Sequence, residues 1–216
     1  IGTPLAYPRA AASALRDGGE IVVHAHGDEA QFVGDVAGFE VLLWGYPHRV
    51  VDGRSALLLP PAAPSAAVPH LLFTFDDLPA CEVAGTLALG QDRRDHPRRV
   101  GEPPYVSYTP SAPREEDWGA VSPARLANGA ELRAWRAERR GEALRVYTVW
   151  AIVGEPGPGR YHQFHHLRTG AEGDPAAIVD VPVSSRAWRA GDTLIVWADL
   201  PAAEVPAWVE VGMYTW

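Results

Sequence analysis

Along the first ninety positions, stretches with helical spacing of apolar residues alternate with strand-like ones. Residues 5–16 are alanine-rich, good helix material, and Asp17-Gly18-Gly19 ends them. Residues 20–25 form a short β-branched run of the kind found in buried strands. Gly27-Asp28-Glu29 then places acids where a helix should begin, as the helix dipole favours. Over 31–43, Phe32, Val36, Phe39 and Leu43 recur along one side, which predicts an amphipathic helix. Strands are expected at 48–51 and 55–59, split by the turn Asp52-Gly53, and again at 70–75. Strand–helix–strand order implies a small α/β unit of two or three layers.

Between about Gly90 and Pro123 the pattern breaks. Asp92-Arg93-Arg94-Asp95-His96-Pro97-Arg98-Arg99 is dense in mixed charge, and prolines recur at 97, 103, 104, 110, 113 and 123. Such a stretch reads as a linker or a long surface loop. From Ala130 onward the signal is strands alone, at 131–136, 144–153, 161–167, 177–183, 193–198 and 208–214, with Gly- and Pro-rich turns between them. The expected architecture is therefore α+β: a small α/β domain at 1–95, a Pro-rich linker or long loop at 96–125, and an antiparallel, jelly-roll-like β-sandwich at 126–216.

Composition narrows the chemistry. The chain of 216 residues is acidic, with a formal charge of −8, and its positive charges are scattered, so no nucleic-acid partner is expected. All 19 basic residues are arginine, which removes Schiff-base lysines and phosphate-loop lysines from consideration. With Cys81 as the single cysteine, no internal disulfide can form. No apolar run approaches the ~20 residues of a spanning helix. The chain opens on Ile1 without a leader pattern and closes on Val209 to Trp216, a strand-like run, so the sequence reads as a fragment of a larger protein.

Over Asn128 to Tyr214 the order of features resembles the C-terminal β-sandwich of bacterial integral-membrane glycosyltransferases related to dolichyl-phosphate-mannose protein mannosyltransferases. The resemblance rests on Val149-Trp150, then Phe164-His165-His166-Leu167, Asp180-Val181-Pro182, Trp188 with Gly191-Asp192, and finally Val211-Gly212-Met213-Tyr214. A looser likeness covers the first half, through Val22-Val23-His24, Gly27-Asp28 and the run Phe39 to Leu43. The resemblance implies a non-catalytic accessory region on the extracytoplasmic face of a bacterial membrane. Its partners would be the membrane-embedded part of the parent protein and a glycan or lipid-linked sugar. The membrane helices and the acidic catalytic loop of that family are not in this sequence, so no catalytic residue is carried over, and neither cofactor nor metal is expected.

Two other readings stand beside it. Eight tryptophans suit a free-standing carbohydrate-binding sandwich, because pyranose faces stack on exposed aromatic rings. Trp135, Trp150, Trp188, Trp197 and Trp208 all fall in the sandwich half. Trp150 and Trp197 lie in apolar strands and suit the core, leaving Trp135, Trp188 and Trp208 as candidate ligand contacts. The third reading is a small metal-dependent hydrolase built on His24, His26 and Asp28, at the carboxyl end of a strand where α/β folds gather ligands. There, Asp28 is equally explained as a helix cap. In Tyr161-His162-Gln163-Phe164-His165-His166, alternation puts His162, Phe164 and His166 on one face and Tyr161, Gln163 and His165 on the other. His162 and His166 are ~13 Å apart on a strand, too far to share a zinc ion unaided, and His166 is expected to be a buried core histidine. Asp76-Asp77 before Pro79 reads as a solvated turn.

Overall fold

Alanine content and spacing decide the first helix. In the computed structural model, which describes residues 4–62, 67–156, 159–170, 172–201 and 208–215, α1 spans Ala6–Leu15 and buries Pro8, Ala11, Ala12 and Leu15. That i, i+3, i+4, i+7 set forms one apolar stripe. Pro8 sits in the first turn, where its missing N–H costs no helical bond. The chain divides into two compact units, Ile1–Pro113 and Arg114–Trp216.

In the first unit, β1 (Ile21–Ala25) lies between β2 (His48–Asp52) and β4 (His70–Phe73), parallel to both. All five of its residues are buried, which is why it reads as a continuous apolar run rather than an alternation. The sheet continues through β6 (Tyr105–Pro110) to β5 (Gly90–His96), both pairings antiparallel, in the order β2-β1-β4-β6-β5. α1 and α2 (Gly34–Leu42) cover one face, where Ala11, Leu15, Ile21, Val23, Phe39, Leu43 and Leu72 share a core. On the other face lie α3 (Pro79–Thr86) and the short strand β3 (Ala56–Leu59): the Leu58 N–H donates to His24, and the Tyr108 hydroxyl reaches α3 at Cys81.

Three expectations change here. The second helix begins at Gly34 rather than residue 31, and Phe32 lies in the preceding turn, 78% exposed, off the apolar stripe kept by Val36, Phe39 and Leu43. Asp28 therefore does not cap that helix; its N-cap position is Val33. The charged, proline-rich stretch is partly regular: β5 is an edge strand whose exposed positions carry the charges that keep edges from pairing, so it lacks an apolar alternation. β6, buried at Tyr105 to Tyr108, lies between Pro104 and the strand-ending Pro110. Finally, α3 went unseen because eight small residues are too short to show a period; Pro79 at its start and Glu82 in its first turn were its signals.

The second unit is an antiparallel β-sandwich. β7 (Gly119–Arg125), β8 (Ala130–Arg140), β9 (Ala143–Ile152) and β12 (Thr193–Pro201) run in the order β12-β9-β8-β7. β10 (Arg160–Arg168), β11 (Ala177–Ser184) and β13 (Trp208–Tyr214) form a second sheet with β10 in the middle. Val146, Leu167 and Leu200 meet between the sheets, with Leu144, Val179 and Val209 packed around them. Pro123 falls on the edge strand β7, at a break in its register, where a missing N–H is tolerated. The β8–β9 hairpin turns on Gly141-Glu142, with Gly141 at φ 60°, a backbone conformation that suits glycine at the first turn position.

Candidate functional site

On β10, alternation decides which histidine is buried. Gln163, His165 and Leu167 point into the sandwich, while His162, Phe164 and His166 lie on the outer face, half-buried. The predicted division into two faces is correct, but the expectation for His166 is reversed: the core histidine is His165, fully buried. Periodicity assigns residues to faces without saying which face is covered.

Beneath the sheet the polar residues form one network. Thr148 Oγ1 accepts from Trp150 Nε1 at 2.9 Å and from Gln163 Nε2 at 2.8 Å, and itself donates to the Val196 carbonyl at 3.3 Å. Gln163 Nε2 also lies 2.9 Å from His165 Nε2. With the amide nitrogen donating, His165 Nε2 accepts, so the imidazole is neutral with its proton on Nδ1. Burial lowers its pKa to about 4, consistent with that neutral form.

Above the sheet, the two outer strands bring aromatic and charged groups to the same face. Register sets Tyr214 and Pro182 beside His162, Gly212 and Asp180 beside Phe164, Glu210 and Ile178 beside His166, and Trp208 beside Arg168. The rings are contiguous: His162 to Tyr214 is 5.7 Å between centroids, Tyr214 to Phe164 is 6.5 Å, and Phe164 to His166 is 4.6 Å, with planes 29° to 35° apart. Phe164 lies flat because its neighbour is glycine: a Cβ on Gly212 would stand 2.6 Å from two of its ring atoms. The Tyr214 hydroxyl donates to Asp180 Oδ2 at 2.7 Å, which draws that ring across β10. Arg168 Nε donates to Glu210 at 2.6 Å and holds that carboxyl below the usual range. Trp208 is 45% exposed at the end of the strip. From residue 162 to 168 the face runs ~20 Å along β10.

The flat ring depends on one missing methyl group. Gly212→Val should displace Phe164 from its seat and cost about 1–3 kcal/mol as an overpacked contact. A near-ultraviolet circular dichroism spectrum and a melting temperature both unchanged would show that the ring does not rest there.

The other predicted residues are dispersed. Trp188 is buried, stacked against Tyr161 at 6.1 Å, so it is no surface contact for a ligand. Trp135 is 45% exposed on β8, its indole lying over Gly119 of β7, away from the ring strip of the other sheet. In the first unit, His24 is completely buried, stacked on Phe73 at 4.9 Å, and its Nε2 accepts the Leu58 N–H at 3.1 Å. Burial drives its pKa down to about 3, so it is a neutral core group. His26 is exposed, its ring edge-on to Phe75 at 5.1 Å, and Asp28 is half-buried. Among the described residues no group of three or more His, Cys, Asp or Glu side chains is placed to hold a metal ion. Cys81 is buried in α3 with its thiol pushed up to about 11, in a state unsuited to nucleophilic attack. Asp76 and Asp77 fall in a turn, as their sequence suggests.

Arg98 fills the carboxyl ends of the parallel strands. Its guanidinium lies 4.4 Å from the centroids of both Phe75 and Tyr105, donates to the Thr74 carbonyl at 2.8 Å and faces Asp35 at 3.4 Å. Burial raises the Asp35 carboxyl above its ordinary range against the pull of Arg98. Such a clamp ties the segment after β5 to the sheet.

No family model matches the chain, and no curated protein or solved structure matches it. No helix among the described residues is long and apolar enough to cross a membrane. What the fold defines is an α+β protein with a β-sandwich unit.

Proposed function

We propose that the protein is a non-catalytic glycan-binding module, with the outer face of β11-β10-β13 as its binding surface. The observation that carries this reading is the contiguous strip of His162, Phe164, His166 and Tyr214, bordered by Asp180 and Glu210 and ending at Trp208. Aromatic faces shed water against the apolar faces of pyranose rings, while carboxylates at the border accept sugar hydroxyls. Phe164→Ala and Trp208→Ala should each weaken binding to a soluble polysaccharide at least tenfold in affinity electrophoresis and calorimetry. Unchanged affinity in both variants would move the site elsewhere.

A second reading sets this module within a membrane glycosyltransferase, as an extracytoplasmic accessory region beside the membrane-embedded part, holding a glycan or lipid-linked acceptor. In its favour, four of the ordered features named above fall on strands, Val149-Trp150 on β9, Phe164 to Leu167 on β10, Asp180 to Pro182 on β11 and Val211 to Tyr214 on β13, while Trp188 and Gly191-Asp192 lie between β11 and β12. The parent gene tests it: some ten apolar segments upstream of Ile1 are expected, and an open reading frame without them removes the reading.

A further inference from the structure

The outward side of α2 lacks the polar residues that a solvent-facing helix carries. Val36, Phe39 and Leu43 turn into the core of the first unit. On the opposite side, helical spacing brings Gly34, Ala37, Gly38 and Val41 together, and Trp44 follows where the helix ends. Val41 is 75% exposed and Trp44 85%, while Phe32, just before the helix, is 78% exposed. A Cβ added at Gly34 or Gly38 would meet nothing within 4 Å. The two acids of the helix lie at its flanks and are already engaged: Asp35 faces Arg98 at 3.4 Å, and Glu40 Oε2 lies 3.2 Å from His48 Nε2.

We propose that α2 packs against α2 of a second copy of this chain, in an antiparallel, two-fold symmetric contact centred on Gly38. The pattern is complementary to itself. Gly38 stands midway between Phe32 and Trp44, so a two-fold axis there sets Trp44 of one copy against Phe32 of the other, twice over. Glycines at 34 and 38 leave the middle of the face low, letting two backbones approach while the aromatic side chains close over both ends. Phe32, Val41 and Trp44 offer on the order of 400 Å² of apolar surface per copy. With the glycines and the helix flanks, two copies remove about 1,000 Å² from water, the least that a specific interface needs. An interface of that size gives a micromolar dimer, not a permanent one. Because Asp35 and Glu40 keep partners within their own copy, closing the face strands no charge. The formal charge of −8 disfavours an anionic bilayer as the cover. This contact is independent of the sugar-binding reading.

Sedimentation equilibrium of the whole chain over a hundredfold range of concentration should show monomer and dimer in exchange. Val41→Glu should weaken the dimer at least tenfold, with the melting temperature of the dilute, monomeric chain unchanged. Gly38→Gln puts a better helix former at an open position, so it should weaken the dimer as much without lowering that melting temperature. Under mild oxidation Gly38→Cys should form a disulfide-linked dimer, because a residue on the axis meets its own copy, and native Cys81 is buried. Glu142→Cys, exposed on the β8–β9 hairpin, should stay monomeric under the same oxidation. A monomer at every concentration, a dimer indifferent to Val41→Glu, or equal cross-linking of both cysteine variants would overturn the proposal. So would a monomer that binds phosphatidylcholine or phosphatidylglycerol vesicles and loses that binding in Trp44→Ser, which would give the face to a membrane.

Discussion

Acidification from pH 7 to pH 4 is expected to remove about 3 kcal/mol of stability for each of the two buried neutral histidines. His24 and His165 have pKa values lowered to about 3 and about 4, in both cases chiefly by burial, against 6.5 for a free imidazole. Below pH 6.5 the unfolded chain takes up a proton at each position while the folded chain does not. Stability therefore falls with pH through the window from 6.5 to about 3 for His24, and from 6.5 to about 4 for His165. Asp199 and Glu138, whose carboxyls are held low in the folded state, add to the loss at the acid end, whereas Asp35, raised by burial, opposes it. Urea unfolding followed by tryptophan fluorescence at pH 7.5, 6, 5 and 4 measures the slope. His24→Gln and His165→Gln should each flatten it while lowering stability at pH 7.5. Stability constant within about 1 kcal/mol from pH 7 to 4 would contradict the neutral, buried state of both rings.

Trp150→Ala is expected to destabilise the sandwich unit by about 3–5 kcal/mol, the range for deleting a large core aromatic. Trp150 is among the largest fully buried side chains, 1% exposed, and its indole N–H donates to Thr148 Oγ1. The loss has two separable parts. Thr148→Val keeps the shape of the threonine but removes the oxygen that accepts from both Trp150 and Gln163. Two buried donors would be left without that acceptor, at about 1–3 kcal/mol each if neither finds another. With Trp150→Phe already in place, Thr148→Val strands Gln163 alone, so the double variant should cost less than the sum of the two single changes. Strict additivity in that double-mutant cycle would mean that the network seen around Thr148 contributes nothing as a unit.

Much of the sandwich was legible because each strand there carries its own signal. The six runs predicted after Ala130 correspond to β8 through β13, since β-branched and aromatic residues between Gly- and Pro-rich turns specify strands locally. β7 was missed, and so was β5, for a shared reason: both are edge strands, exposed along most of their length, with charge or proline in place of an apolar alternation. The proposed binding face was only half visible. Alternation placed His162, Phe164 and His166 together, and Trp208 was singled out as a ligand contact, but Tyr214 and Asp180 lie 50 and 16 residues from Phe164 in the chain. The hint that could have joined them is Gly212, a glycine inside a strand, which marks a place where a neighbouring ring comes close.

The sequence by itself determined the α+β class and the antiparallel strands of the second half. It also established that lysine chemistry and an internal disulfide are impossible, because composition, local propensity and period are properties of neighbouring residues. The tertiary structure alone decided that His165 rather than His166 is buried, that His24 is a neutral core group instead of a ligand, and that Phe164 lies flat beside Tyr214. Which face of a strand is covered, and which distant strand supplies its neighbours, depends on sheet register and on the layer packed against it; no single segment encodes either.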